Sequence, residues 1–163
     1  HFATHGRLSE ETPMLSSILL AEGEELSLYE LMGMQLSADL VVLSACRTGV
    51  GETTGGDDVL GLTRGLLGAG ARAAVVSLWP VDDLSTSLLM GEFYRQLLKG
   101  KPSASALQEA QNYLRNLPSD QIEAKTAELG NKGFLRDVID DGQLAPVDNY
   151  AHAHHWAPFI LVG

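Results

Sequence analysis

The sequence predicts an α/β fold in which the strands of a parallel, doubly wound sheet alternate with helices. Short apolar runs supply the first observation. Asp39–Ala45 (DLVVLSA), Ala73–Trp79 (AAVVSLW) and Phe159–Val162 (FILV) are rich in Val and Leu, as strands buried on both faces are. The second is that segments with helical spacing and recognisable ends lie between these runs. The third is negative: no repeat appears at the periods of helical arrays.

Taken in order, His1-Phe2-Ala3-Thr4-His5-Gly6 reads as the end of a strand, an abrupt opening that suggests a fragment of a longer protein. Ser27 and Glu30 have the spacing of a capping box, so a helix is expected over Ser27–Gly33. Asp57 or Asp58 can cap a helix through Leu60, Leu67 and Ala69 that Gly70 ends. Asp83–Leu98 carries Leu89, Phe93 and Leu97 at fourth-residue spacing. Ser103–Leu117 places Leu107, Ala110 and Leu114 on one face and stops at Pro118. Residues 119–155 are polar and contain Gly130, Gly133, Gly142 and the acids Asp137, Asp140 and Asp141, which reads as a helical excursion followed by a long loop.

Composition limits the function classes. A chain of 163 residues fits one domain, and 45% apolar residues are enough for a core. The formal net charge of −10, with lysines and arginines scattered, argues against general affinity for nucleic acid or anionic lipid. The single cysteine excludes an internal disulfide and suits a reducing, cytoplasmic compartment or a thiol kept for chemistry. No apolar run has the length of a membrane span, and no signal peptide is present.

That cysteine is the first chemical candidate. Cys46 ends a buried strand and opens a glycine-rich loop with Gly49, Gly51, Gly55 and Gly56, where backbone can approach a substrate closely. A buried free thiol can equally be inert. A catalytic thiol needs a base, and His5, at the end of the first strand fragment, is placed to be one; a satisfied structural histidine is the competing reading. Gly6 offers a backbone N–H for a developing oxyanion. In a parallel sheet ligands bind beyond the carboxyl ends of the strands, so His5, Cys46 and the segment Trp79–Asp83 are expected at one sheet edge.

Two further patterns are set aside. His152, His154 and His155 could join His5 or Asp148 around zinc, but the spacing is loose and no cysteine pair is near, so a solvated loop is the plainer reading. Thr48–Gly56 resembles a phosphate loop without the Gly-Lys-Ser/Thr ending, and Asp57-Asp58 would repel phosphate.

His1-Phe2-Ala3-Thr4-His5-Gly6 and Val41-Val42-Leu43-Ser44-Ala45-Cys46-Arg47-Thr48-Gly49 closely resemble the two catalytic motifs of the CHAT family. These are caspase-like domains usually found behind tetratricopeptide repeats, in the clan of caspases, separase, legumain and gingipains. The likeness continues through Val59-Leu60-Gly61-Leu62, Gly70-Ala71-Arg72, Ser77-Leu78-Trp79-Pro80-Val81-Asp82-Asp83, Phe93-Tyr94, Ala110-Gln111 and Trp156-Ala157-Pro158-Phe159.

The resemblance implies a caspase-hemoglobinase fold, a mostly parallel sheet flanked by helices, with residues 1–163 as the C-terminal, catalytic portion. The family's strands before the dyad histidine are missing from this sequence. The sheet is therefore expected to expose an edge that a partner chain or further polypeptide covers. The resemblance also implies Cys46 as nucleophile, His5 as general base, backbone donors at Gly6 and Cys46, and no metal or cofactor. Relatives place part of the substrate pocket after the third strand, so Asp82 and Asp83 would favour Arg or Lys before the cut; alternatively Asp83 caps the next helix and Asp82 is solvated. Trp79 can wall the pocket or simply pack, and Ser44 and Asp57-Asp58 are weaker candidates. The expected function is cysteine endopeptidase action on a protein or peptide substrate, controlled by a repeat or sensor region or a partner chain. The alternative is an inactive caspase-like scaffold.

Overall fold

Among the described residues, runs of Val and Leu become the centre of a six-stranded sheet. In this computed structural model all residues are described except Leu8, Glu10, 48–56 and 132–148, with backbone alone for 45–47, 57–60 and 129–131. The strands are β1 Phe2–Arg7, β2 Ser17–Leu19, β3 Glu25–Ser27, β4 Val41–Arg47, β5 Ala74–Ser77 and β6 Phe159–Val162, in the order β3-β2-β1-β4-β5-β6. The β1, β4 and β5 strands are parallel; β2, β3 and β6 join them antiparallel. Val41, Val42 and Leu43 are all buried, as are Ala74, Val75 and Val76. Burial on both faces is why these runs are continuous rather than alternating.

The helices are α1 Leu28–Gly33, α2 Asp57–Gly68, α3 Asp83–Leu98, α4 Ser103–Arg115, α5 Ser119–Asn131 and α6 Ala153–Trp156. The chain forms two compact units, His1–Val81 with Pro158–Gly163, and Asp82–Ala157. In the first, Leu28 and Leu31 of α1 and Leu62 and Leu66 of α2 pack with Ile18, Val41, Leu43, Ala74 and Val76 of the sheet. Each of the Leu, Ile and Val side chains contributes roughly 1.5–3 kcal/mol when fully buried. In the second, Leu84, Leu88, Leu89 and Phe93 of α3 and Leu107, Ala110 and Leu114 of α4 are buried, and the two helices pack together. No helix among the described residues is long and apolar enough to cross a membrane.

The helix signals translate into bonds. Ser27 Oγ accepts from Glu30 N at 3.2 Å while Glu30 Oε2 accepts from Ser27 N at 2.9 Å, so both arms of the capping box form. Ser27 Oγ also donates to Glu30 Oε2 at 2.6 Å; that bond first, and the one from Ser27 N second, favour the ionised carboxylate and hold Glu30 below the usual range. One cap differs from expectation. Asp82, not Asp83, caps α3, because its carboxylate reaches Ser85 N at 2.8 Å from extended backbone, while Asp83 already lies in the first helical turn. The polar segment after α4 contains α5 and, in place of a solvated loop at the histidines, the short helix α6. The cap before α2, the glycine-rich turn 48–56, the acids Asp137, Asp140 and Asp141, and Asp148 lie outside the described residues or side chains.

The hairpin β2–β3 was not expected. Its strands, Ser17-Ile18-Leu19 and Glu25-Leu26-Ser27, are short and half polar, and they pair over three residues. Its turn carries Glu22 at φ 61° and Gly23 at φ 80°. The hairpin pairs Gly6 with Ile18 and Arg7 with Ser17, so β1 does not end at His5 but runs on to Arg7. It lies on the side of β1 away from β4; among the described residues the outer strands are β3 and β6.

Gly70, after α2, has φ +109°, and a Cβ there would stand 2.4 Å from Leu36 O. Leu36 N donates to Ala69 O at 2.6 Å, so that backbone is tied to the turn. Gly70→Ala therefore combines an unfavourable φ with a backbone collision. It is expected to lower stability by about 2–4 kcal/mol in urea unfolding, whereas Gly33→Ala, where a Cβ meets nothing within 4 Å, is expected to be tolerated.

Candidate active site

The parallel ladder of β1 and β4 fixes the centre of the site. Its register pairs Phe2 with Leu43, Ala3 with Ser44, Thr4 with Ala45, His5 with Cys46 and Gly6 with Arg47. Neighbouring strands lie about 4.8 Å apart, so the backbones of the lone cysteine and His5 stand side by side. Along β1 the residues alternate. Phe2 packs against the first unit's core, whereas Ala3, His5 and Arg7 are exposed. His5 thus presents its imidazole to solvent on the face opposite α1 and α2.

Around it, Gly6 lies inside the ladder, between Ile18 and Arg47, rather than beyond a strand end. Arg7 forms an ion pair with Glu25 of β3, which also accepts from Ser17 Oγ at 2.6 Å. Ser44 is buried, with its Oγ 3.2 Å from His1 Nε2. Trp79 is half-buried and follows β5 in the same unit.

Asp82 and Asp83 belong to the second unit. Asp83 is exposed in the first turn of α3. Asp82 is engaged three ways: it accepts from Ser85 N, it accepts from Ser85 Oγ, and its Oδ2 lies 3.2 Å from His155 Nδ1. His155 stacks edge-on against Tyr150, with ring centres 5.1 Å apart. Tyr150 is fully buried, and its hydroxyl has no hydrogen-bond partner among the described residues. Burial first, and the Asp82 charge second, push the phenol up to about 12. Sequence reading missed Tyr150 because it is one aromatic residue in a polar stretch, with no period to mark it. His152 caps α6, its Nδ1 accepting from His154 N at 3.2 Å. Arg115 lies over the Trp156 ring, 5.4 Å from its centre. A cleft of about 280 Å3 between α3, α4 and α5, lined by Glu92, Arg95, Tyr113 and Lys125 among others, contains none of the candidate residues.

The sequence matches the family model described as "CHAT domain" over residues 1–163. It is 29% identical to human (Homo sapiens) Tetratricopeptide repeat protein 28 over 161 residues, which is 99% of this chain and 5% of that protein. The mouse (Mus musculus) protein of the same name is 35% identical over 153 residues, or 94% of this chain and again 5% of the relative. The chain thus spans about a twentieth of the curated relatives it matches.

Tyr150 supplies a test of the Asp82 cluster. Its folded pKa is raised, so its contribution to stability is complete below pH 10 and is lost as pH rises through about 12. Spectroscopic titration is expected to show one phenol ionising near pH 12. Tyr150→Phe should remove that loss and leave stability at neutral pH unchanged or higher, since it deletes a buried hydroxyl with no partner among the described residues.

Proposed function

This chain belongs to the CHAT domain family, a caspase-like family, and on that footing we propose that it is a cysteine endopeptidase acting through Cys46 and His5. The observation that supports the reading is the β1–β4 register, which pairs the backbone of Cys46, the only cysteine in the sequence, with that of the exposed His5. His5 takes the thiol proton, and the Cys46 sulfur attacks the carbonyl carbon of a peptide bond. Backbone N–H groups of Gly6 and Cys46 are the proposed donors to the oxyanion. His5 then passes its proton to the leaving amine. Water attacks the thioester, regenerating the thiol and releasing the new carboxylate.

The proposed substrate is a protein or peptide with a basic residue before the cut. The net charge of −10 and the partly exposed carboxylate of Asp82 support that preference, with Asp83, Trp79 and Ser44 as the other proposed pocket residues. Control by a repeat or sensor region fits the relatives, whose names cite tetratricopeptide repeats. A cytoplasmic setting suits a catalytic thiol in a chain with no second cysteine. Those same names describe repeats rather than an enzyme, which favours a second reading, an inactive interaction module.

Cleavage of a mixed-sequence peptide library by the full natural polypeptide, beside Cys46→Ala and His5→Ala, tests the reading. Wild type is expected to cut after Arg or Lys and each variant to lose about 1,000-fold or more in kcat/KM. Asp82→Ala should relax the basic preference, and an unchanged preference would remove Asp82 from the pocket. Should nothing be cut, alkylation of Cys46 decides: a rate equal to that of free cysteine and indifferent to His5→Ala establishes the interaction module.

A further inference from the structure

Exposed apolar surface in the first unit gathers around α1. Met14 and Leu15, on the 3-10 turn Pro13–Leu15, are 41% and 61% exposed. Tyr29 and Met32, 71% and 55% exposed, share one face of α1 at i,i+3 spacing. Met34, also exposed, follows at the end of the helix. The turn touches α1, and Leu28 N donates to Ser16 O at 2.7 Å, so the two segments form one surface. Scattered exposed apolar residues are ordinary, but adjoining ones on a fixed element mark an interaction site. The element is well anchored: Leu28 and Leu31, on its inner face, are 6% and 1% exposed. The outer face can therefore be covered without any unfolding.

The chemistry of the face selects its partner. Methionine adapts its shape and offers a polarizable sulfur, and tyrosine is a common interface anchor. Between Arg7 and Arg47 the sequence contains no lysine or arginine, while Glu11, Glu22, Glu24 and Glu30 are all exposed. Glu30 stands on α1 itself, next to Tyr29, and Glu11 lies just before the turn. A face of this kind combines an apolar stripe with exposed carboxylates from a stretch that holds no lysine or arginine. Acidic partners would be repelled. A purely apolar partner would leave the carboxylates without counter-charges.

We propose that the outer face of α1, together with the turn Pro13–Leu15, is a docking surface for a basic amphipathic helix of a protein partner. The apolar stripe of that helix would lie on Met14, Leu15, Tyr29 and Met32, and its lysines or arginines would meet Glu11 and Glu30.

The test uses the full natural polypeptide and a fluorescent peptide of about 18 residues built from Leu and Lys at helical spacing. Controls are its Glu-for-Lys counterpart and a scrambled Leu/Lys peptide with no apolar face. Anisotropy is expected to show binding of the amphipathic basic peptide only, weakening at least tenfold when salt is raised from about 50 to 500 mM. Tyr29→Ser with Met32→Ser should weaken it at least tenfold again. Glu11→Lys, at an exposed position, forms an independent arm expected to weaken binding and flatten its salt dependence. Equal binding of the scrambled or acidic peptide overturns the proposal, as does unchanged affinity in both variants. Protection of the Met14, Tyr29 and Met32 side chains from hydroxyl-radical oxidation before any peptide is added also overturns it. In that case another part of the polypeptide, or a second copy revealed by sedimentation, already covers the face.

Discussion

The parallel pairing of β1 with β4 is the constraint on which the rest of the site depends. Strand register is quantised: a slip of one residue would put Gly6 opposite Cys46 and turn every side chain of β1 to the other face. Phe2 would leave the core, and His5 would enter it. The apolar packing that stabilises the first unit therefore also fixes which residue stands beside the thiol-bearing position. The His5–Cys46 pairing and the core share one ladder, and neither can shift without the other.

The hairpin β2–β3 enforces that register from the opposite side. By pairing with Gly6 and Arg7 it extends β1 beyond His5, so the histidine sits within a strand held on both edges rather than at a loose end. Thr4 Oγ1 donates to Leu19 O at 2.7 Å, a further tie between β1 and the hairpin. A backbone held on both edges fixes where the imidazole is attached, which is the preorganisation that the proposed chemistry calls for.

Much of this was legible in the residues. Val41-Val42-Leu43 and Ala74-Val75-Val76 are continuous apolar runs, and both are central strands. Ser27 and Glu30 announced a capping box, and Leu89 and Phe93 marked the inner face of α3. The hairpin was not legible, because three-residue strands such as Glu25-Leu26-Ser27 have too few alternations to show a period, and pairing depends on a partner strand rather than on local preference. The α3 cap was misassigned between neighbours for a related reason. Two consecutive aspartates offer the same side chain, and only backbone geometry decides which one precedes the helix. Of the site, the pairing of His5 with Cys46 could be anticipated from strand ends. The contact of Asp82 with His155 could not, since 73 residues separate the two.

Chain connectivity gives the hairpin a kinetic meaning. Gly6 meets Ile18 only twelve residues along, whereas His5 meets Cys46 across forty-one. Closing the shorter loop costs less entropy, so residues 2–27 can assemble as a three-stranded seed before β4 arrives. On that order the cysteine-bearing strand β4 would join an edge whose spacing is already set, with the hairpin as its template.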